Sequence, residues 1–380
     1  MKFLVLGGGK QGSAAAFDLC RRPEVEQVVI ADEAVDELRP FLRPFLGQKL
    51  RARALDARDA GSVSEAMDGV DAVLCALPYY FNLGMTRAAI DTGVHFCDLG
   101  GNTAIVGQQK ELDALAQAAG VSVIPDCGLA PGMVNILAQA AIESLDDVDE
   151  VDMRVGGLPQ HPKPPLNYQV AYSLEGMLDY CLMPSLVLRK GEPTEVEPLT
   201  DLERIDFPGL GCLEAFHTAG GISTMPYRYA GRVKEMNYKT LRYPGHAVIL
   251  KAIRDLGLVS EEPVDIDGCT IVPKKAFIQM VTPILLNPAG DDLVALRVEA
   301  RGTRGGAPAT VRFDLLDKYD AENGITAMMR TTGYSLAITA LMQADGRISE
   351  PGVHTPDEAV PAGAYLAELA ASGVQVQRVG

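Results

Sequence analysis

Glycines and polar residues near the start of the chain have the spacing of a phosphate-binding turn. The run GGGKQG at 7–12 follows a short apolar segment and opens a helical pattern. Gly7 permits a tight turn, Gly9 lets the backbone approach a pyrophosphate, and Gly12 lets helix and strand pack closely. The free backbone N–H groups of the helix start, around Lys10 and Gln11, hold the anion in such sites. The run therefore predicts a dinucleotide site.

Asp32 strengthens this prediction and sets the expected cofactor. It ends the second apolar segment, 20 residues after Gly12, where a carboxylate accepts both ribose hydroxyls and repels a 2′-phosphate. Since Glu33 and Ala34 follow rather than an arginine, the sequence favours NAD over NADP. Asp56 ends the third apolar segment and is a candidate for the adenine side, with a helix N-cap as the alternative.

Further polar residues follow the later strands of the same region. The backbone at Leu77 and Pro78 is expected to pass the nicotinamide ribose. Tyr79 is expected to reach into the cleft as a hydrogen-bond donor, with packing of its ring on the next helix as the alternative. Asp98 and Asp126 end the fifth and sixth apolar segments, where a carboxylate can take a substrate proton. Their alternative role is structural, as acceptors for backbone N–H groups in the glycine turns that follow.

A second group of candidates lies between residues 215 and 246. His217 stands in the run AFHTAGG, whose glycines indicate close approach of the backbone to a ligand, so it is a third acid–base candidate. Thr218 offers a hydroxyl. Arg242 is the best candidate for a bidentate clamp on a substrate carboxylate, with an ordinary ion pair as the alternative. His246 is expected to assist it. The sequence does not choose a general base among the three acid–base candidates.

Alternating strand-like and helix-like segments must position these residues. Residues 1–131 contain six apolar runs separated by helical patterns, which predicts an α/β fold with an N-terminal Rossmann doubly wound parallel sheet. Residues 132–318 predict an α+β substrate domain rich in strand-like runs, among them Ala276–Val281. Residues 319–380 hold a long apolar helix, Ile325–Gln343, expected to pack back on the first domain or on a second subunit.

The composition indicates which classes of protein can be excluded. The 380-residue chain is 47% hydrophobic and 22% charged, as soluble globular proteins are, and its formal net charge is −16. An acidic chain lacks the cationic face that nucleic acid and anionic lipid require. No apolar run approaches the roughly 18–20 residues of a membrane span. The seven cysteines form no CxxC pair, so no disulfide framework or metal site is expected, and the reducing cytoplasm is the expected compartment.

Several longer motifs make the chain resemble a known family. After the glycine run they are DLGG at 98–101, GLAPGM at 128–133, AFHTAGG at 215–221 and KTLRYPGH at 239–246. Together they are similar to the saccharopine dehydrogenase-like family, and within it most similar to L-lysine 6-dehydrogenases. The resemblance runs nearly end to end. It implies a Rossmann domain, a substrate domain with a mixed sheet, and an active site in the cleft between them.

The resemblance also implies a reaction. It is the NAD-dependent oxidation of the ε-amine of L-lysine to the 6-semialdehyde, which cyclises to piperideine-6-carboxylate, with release of ammonia. The alternative is a reductive condensing dehydrogenase of the saccharopine or carboxynorspermidine type that uses NAD(P)H. Saccharopine-forming relatives usually carry an acidic residue where this chain has Ala130, which argues against saccharopine and leaves the lysine reaction in place. A homodimer or higher homo-oligomer is expected from the apolar C-terminal helix and the strand-rich second domain.

Overall fold

Two large sheets organise the chain. The computed structural model describes residues 1–35, 38–170, 173–286 and 290–379. The first sheet is parallel and has seven strands, whereas the second is mixed and has nine. We call the part built on the parallel sheet the first domain and the part built on the mixed sheet the second domain.

The first domain begins with six strands separated by helices. Its strands are β1 (Lys2–Leu6), β2 (Gln27–Asp32), β3 (Leu50–Ala54), β4 (Ala72–Cys75), β5 (His95–Asp98) and β6 (Ser122–Ile124). Its helices are α1 (Lys10–Arg21), α2 (Ala60–Met67), α3 (Asn82–Thr92), α4 (Thr103–Lys110) and α5 (Asp113–Ala119), with 3₁₀ turns at Pro40–Phe45 and Tyr79–Phe81.

These six strands lie in the order β3-β2-β1-β4-β5-β6 and are all parallel. Helices cover both faces, so the central strands are short apolar runs, and residues 3–6 of β1 are fully buried. The chain reverses its direction of winding between β1 and β4. In doubly wound sheets, ligands bind at that point, outside the carboxyl ends of the strands. The predicted fold class is confirmed.

The rest of the chain supplies the second domain and several returning elements. Its strands are β7 (Asp147–Pro159), β8 (Ser185–Arg189), β9 (Glu192–Val196), β10 (Glu203–Phe207), β11 (Gly211–His217), β12 (Val233–Arg242), β13 (Val264–Ile266), β14 (Cys269–Ile271), β15 (Asp292–Arg304), β16 (Ala307–Lys318), β17 (Gly352–Val353) and β18 (Val376–Val379). Its helices are α6 (Met133–Glu143), α7 (Leu174–Leu182), α8 (Met225–Arg228), α9 (His246–Asp255), α10 (Pro273–Leu285), α11 (Ala327–Ala344), α12 (Pro356–Ala359) and α13 (Ala362–Ala371).

The second sheet has the order β10-β11-β12-β7-β15-β16-β18, and β8 joins β12 to β9. The β12–β7 pair is parallel and its neighbours are antiparallel, so the sheet is mixed. The strand predicted at Ala276–Val281 is wrong, because these residues lie within α10. Pro273 begins that helix, and Phe277, Ile278 and Val281 pack at helical spacing on an apolar cluster.

The last part of the chain returns to the first domain. Helix α11 packs on α1, β4 and β5, and a Cβ on Gly333 at the crossing would lie 2.7 Å from the Ala14 side chain. Strand β17 pairs with β6 and completes the parallel sheet as its seventh strand. The first domain therefore contains residues from both ends of the sequence. Within the described ranges, no helix has the length and apolar character needed to cross a membrane.

Candidate active site

The glycine run forms a tight turn between β1 and α1. Gly7 has a φ of +99°, and a Cβ there would come within 3.0 Å of the Ala76 carbonyl. A Cβ on Gly12 would lie 1.9 Å from the Gly7 oxygen, so both positions require glycine. A Cβ on Gly9 would meet none of the described atoms within 4 Å. Gly9 therefore borders open space in which an anion can approach the backbone.

The start of α1 has no side-chain cap, so its first N–H groups stay available to an anion. Lys10 and Gln11 occupy the first turn, and Lys10 is exposed. The amide oxygen of Gln11 is buried without a hydrogen-bond partner in the described part of the chain. A buried acceptor without a donor, beside an uncapped helix start, fits a site that a ligand completes.

Asp32 stabilises the same turn from the end of β2. Its Oδ2 accepts from the Gly8 N–H at 2.6 Å, and its Oδ1 accepts from the Ala34 N–H at 2.9 Å. Beside it a cavity of about 430 Å³ opens at the carboxyl ends of the strands, and Asp32, Leu77 and Pro78 form part of its wall. The cavity has room for part of a dinucleotide, and the contacts expected of Asp32 with ribose hydroxyls and of Leu77 and Pro78 with the nicotinamide ribose stay predictions.

Asp56 does not line this cavity but holds an arginine that does. Arg58 forms part of the wall. Asp56 Oδ1 accepts from the Arg58 backbone N–H at 2.9 Å and from its Nε at 2.8 Å, and Glu33 binds the guanidinium at 2.7 Å. The helix-cap alternative for Asp56 is wrong, because Asp59 accepts from the first N–H groups of α2. Sequence reasoning misses Arg58, which stands in no recognisable motif.

Asp98 ends β5 fully buried and holds the turn that follows. Its Oδ1 accepts from the Gly100 N–H at 2.7 Å and the Asp126 N–H at 3.3 Å, and its Oδ2 accepts from Gln109 Nε2 at 2.7 Å. Burial raises the pKa of Asp98 to about 6 in spite of these hydrogen bonds. Both carboxylate oxygens thus have donors within the chain, as the structural alternative for this residue requires.

Asp126, just after β6, lies in a different environment. It is buried at a φ of +63°, and its Oδ2 accepts a hydrogen bond from Ser223 Oγ of the second domain. Its Oδ1 lies against the Gly100–Gly101 backbone, and among the described residues no side chain donates to it. Burial raises the pKa of Asp126 to about 7, with the Ser223 hydrogen bond opposing the rise and the Asp98 charge adding to it. Such a carboxyl can exchange a proton near neutral pH.

Two tyrosines of the second domain lie close to each other, and one of them, Tyr180, lies near Asp126. Burial raises the pKa of Tyr180 on α7, and Tyr238, Asp126 and Tyr79 lie close enough to add to this rise. A Cβ on Gly220 would lie 2.5 Å from the Tyr180 ring, and a Cβ on Gly221 would lie 2.1 Å from the Tyr238 ring. These glycines therefore make room for two aromatic rings. Tyr79 is 44% exposed on the first-domain side and contacts the Tyr80 ring edge-on.

Thr218 and Arg242 lie on one face of the second sheet. The hydroxyls of Thr218 and Thr240 are 2.7 Å apart, and alternate residues of β12 place Tyr238, Thr240 and Arg242 on the same face. Arg242 is buried, and its guanidinium lies 4.8 Å from the centre of the Tyr168 ring. Its Nη1 donates to its neighbouring carbonyl at 2.8 Å.

Arg242 differs from the other buried cations. Four Lys and Arg side chains are buried in the described parts of the chain. Three of them have carboxylate partners within 4.0 Å, namely Arg154, Lys239 and Lys274. Arg242 has no such partner among the described residues. The ion-pair alternative for Arg242 therefore finds no support in the structure.

His246 begins α9 beside Arg242. Its Nδ1 lies 2.9 Å from the Leu166 carbonyl, and its ring stacks on Phe216 with an interplanar angle of 13°. Burial, followed by the charge of Arg242, lowers the pKa of His246 to about 3, so the imidazole is neutral. Because Nδ1 must donate to the carbonyl, Nε2 is the acceptor nitrogen, and it is buried without a described partner.

The structure does not bring His217 to this group. His217 lies opposite Lys239 in the β11–β12 pair, so its side chain is on the other face of the sheet from Arg242. Its Nε2 lies 3.3 Å from Arg189 and 3.4 Å from Asp201, and Lys239 also binds Asp201 at 2.9 Å. Burial, followed by the charge of Lys239, lowers the pKa of His217. These contacts make it part of an ion-pair network on the far face.

Sequence reasoning misses Ser223 and Tyr180 as members of the site. Neither follows a strand of the first domain, and neither stands in a motif with a recognisable spacing. They reach Asp126 through the packing of the two domains, which no local pattern encodes. The Gly220–Gly221 pair does lie beside Ser223, but these glycines make room for tyrosine rings rather than for a ligand.

Comparison with known proteins identifies both domains. Residues 3–124 match the family model of the saccharopine dehydrogenase NADP binding domain, and residues 128–374 match that of the saccharopine dehydrogenase C-terminal domain. The fold is similar to that of an apo saccharopine dehydrogenase (L-Glu forming) from Saccharomyces cerevisiae, with a TM-score of 0.80, 19% identity and full coverage of both chains.

Curated relatives are distant in sequence. The mitochondrial alpha-aminoadipic semialdehyde synthase of Rattus norvegicus is 22% identical over 98% of this chain, which spans only 47% of that protein's length. The carboxynorspermidine synthase of Vibrio cholerae is 23% identical over 95% of this chain and 93% of its own length. The chain therefore corresponds to about half of the first relative and to nearly all of the second.

Proposed function

This chain belongs to the saccharopine dehydrogenase family of NAD(P)-dependent oxidoreductases, and from that premise we propose that it oxidises the ε-amine of L-lysine. In this reaction L-lysine, NAD⁺ and water give the 6-semialdehyde, NADH and ammonium, with release of one proton. The proposal includes cytoplasmic location and a homo-oligomeric assembly, which come from the sequence alone.

The observation that carries the proposal is the buried Arg242 without a carboxylate partner. A buried guanidinium that lacks a counter-charge is costly, and a substrate carboxylate would supply that charge through two parallel hydrogen bonds. One such cation suits a substrate with one carboxylate. Arg242 therefore marks the carboxylate end of the proposed substrate.

Asp126 is the proposed general base. Hydride leaves the ε-carbon only when the nitrogen lone pair is free, whereas a lysine ammonium has a pKa near 10.4 in water. A buried carboxyl with a pKa of about 7 can take this proton near neutral pH. A nicotinamide cofactor bound at the glycine turn and Asp32 would supply the hydride acceptor. Tyr180 lies close to Asp126, and the neutral His246 adds no positive charge that would repel an amine.

The direct test is incubation of the purified protein with NAD⁺ and L-lysine while reduced cofactor and free ammonia are both measured. We expect the two products in a one-to-one ratio. Cofactor reduction without ammonia, or no reduction at all, would rule out the lysine reaction.

A reductive condensing dehydrogenase is the second candidate, because the matched carboxynorspermidine synthase covers nearly the whole chain. Such an enzyme consumes NAD(P)H only when an amine and a carbonyl compound are both present, and it neither forms nor needs ammonia. The same assay, run in reverse with each component omitted in turn, separates the two reactions.

Preference for NAD over NADP is part of the proposal, and Asp32→Ser tests it. The carboxylate of Asp32 repels a 2′-phosphate at the ribose, and serine removes that charge. We expect the ratio of NAD to NADP affinity to fall about tenfold, which corresponds to about 1.4 kcal/mol. Fluorescence titration of both cofactors measures the ratio. Glu65→Ser, which removes an exposed acid from α2, is the matched control and should leave the ratio unchanged.

A further inference from the structure

We propose that Ser223 is a positioning residue for Asp126, and that its hydroxyl, carried by the second domain, holds the carboxyl so that Oδ1 stays at the Gly100–Gly101 turn. This inference rests on the proposed role of Asp126 as the general base. It assigns a function to a residue that lies outside every sequence motif described above.

The first observation is the hydrogen bond itself. Ser223 Oγ donates to Asp126 Oδ2, and the two residues are 4% and 2% exposed, so water does not compete for this contact. Within the described residues, no Lys, Arg or His lies within ion-pair distance of Asp126, and no other side chain donates to it. Ser223 is therefore the one side-chain partner that orients this carboxyl in the described structure.

The second observation is the backbone at both ends of the hydrogen bond. Asp126 has a φ of +63° and Ser223 a φ of +53°, which are left-handed conformations that residues other than glycine seldom adopt. Such conformations persist where the surrounding contacts overdetermine them. Asp126 and Ser223 both adopt such a conformation, and their side chains form a hydrogen bond with each other. The surrounding fold therefore holds these two groups together.

The third observation is a tether that fixes the position of Ser223. Asn135 of α6 donates through Nδ2 to the Ile222 carbonyl at 3.0 Å, and its Oδ1 accepts from the Gly132 N–H at 2.7 Å. The Ser223 N–H donates to the Gly220 carbonyl at 3.0 Å. Asn135 thus joins the turn that follows Asp126 to the residue that precedes Ser223, and the hydroxyl has little freedom to move.

Three further titratable groups face Asp126, and none of them replaces Ser223. Asp98 of β5 and Asp357 of α12 disfavour its charged form, and Tyr180 of α7 lies beside it. Arg228 pairs with Asp357 at 2.6 Å and so weakens the repulsion between Asp357 and the charged form of Asp126. A neutral hydroxyl donor stabilises the carboxylate over the carboxylic acid. Removal of the donor should therefore shift the proton equilibrium of Asp126 towards the acid.

Ser223→Gly is the main test, because glycine removes the hydroxyl and also accepts the left-handed backbone without strain. We expect the acidic limb of the pH profile of kcat to move to higher pH by about one unit. At pH 7 kcat should then fall several-fold, KM should change little, and the rate should approach the wild-type rate at high pH. Ser223→Asn, which keeps a donor and tolerates the left-handed region, should restore much of the wild-type profile.

Ser372→Ala is the matched control. Ser372 donates to another buried carboxylate, Asp18, at 2.6 Å, far along the chain from Asp126. We expect no movement of the acidic limb in this variant. If the limb stays in place in the folded Ser223→Gly protein, Ser223 does not position Asp126 and the proposal is wrong.

Titration of ¹³C-labelled aspartate by NMR separates this proposal from the proposed function. The Asp126 signal is assigned by its loss in Asp126→Asn. If this signal titrates at higher pH in Ser223→Gly while lysine is not oxidised by any variant, the positioning role stands and the proposed function fails. If lysine is oxidised but the signal does not move, the proposed function stands and the positioning role fails.

Discussion

Asp126→Asn is expected to lower kcat for lysine about a thousandfold at pH 8, which is within the usual range for loss of a general base. Asparagine is nearly the same size, accepts a hydrogen bond from Ser223 through its amide oxygen, and tolerates a φ of +63°. The variant should therefore fold and bind cofactor normally. Steady-state kinetics together with a cofactor titration measure the two effects separately, and retention of the wild-type rate would remove Asp126 from the chemistry.

The same variant should be more stable than the wild type at alkaline pH. The folded protein raises the pKa of Asp126 from its ordinary value of 3.8 to about 7. Between these values the folded state keeps a proton that the unfolded state has released, so the free energy of unfolding falls as pH rises. Asparagine does not titrate, so the variant lacks this pH-dependent fall in the free energy of unfolding. We expect a gain on the order of 3 kcal/mol at pH 8 that vanishes near pH 4, measured by urea unfolding at both pH values.

Arg242→Met is the second large effect. We expect KM for lysine to rise about 10- to 100-fold with cofactor binding unchanged, because charge-assisted hydrogen bonds to a carboxylate contribute about 1.5–3 kcal/mol. Methionine keeps much of the apolar contact with Tyr168. A sharper readout compares activity on lysine with activity on the corresponding diamine, which lacks the carboxylate group. The wild type should prefer lysine to this diamine, and the variant should lose that preference.

Arg254→Met is the control for loss of a positive charge near the site. Arg254 lies on α9 and pairs with Glu197 and Asp255. Its replacement should leave the KM for lysine and the preference over the diamine unchanged. An unchanged KM in Arg242→Met would show that the carboxylate binds elsewhere.

The parts of the site that could be predicted from the sequence are those that a few neighbouring residues determine. The glycine turn and Asp32 interact over a short stretch of chain, so their spacing alone indicates a dinucleotide site. Asp98 and Asp126 could be placed at one edge because parallel strands bring their carboxyl ends together. Which of the two has donors on both carboxylate oxygens depends on side chains such as Gln109 and Ser223, and the sequence does not reveal those contacts.

Elements whose environment is set by distant residues were harder to predict. His217 and Thr218 are adjacent in sequence, yet a strand sends successive side chains to opposite faces, and only Thr218 lies with Arg242. The apolar run at Ala276–Val281 suits a strand or a helix equally well over six residues. Pro273 at the helix start and the apolar cluster beneath α10 favour the helix.

The return of α11 and β17 to the first domain has a consequence for the order of folding during synthesis. The helix that packs on α1 is made more than 300 residues after β1 and the glycine turn, and the last strand of that sheet is Gly352–Val353. Domains usually fold as units while the chain emerges. Here the surfaces of α1, β4 and β5 that α11 covers, and the edge of β6 that β17 covers, stay exposed until residues 327–353 have left the exit tunnel.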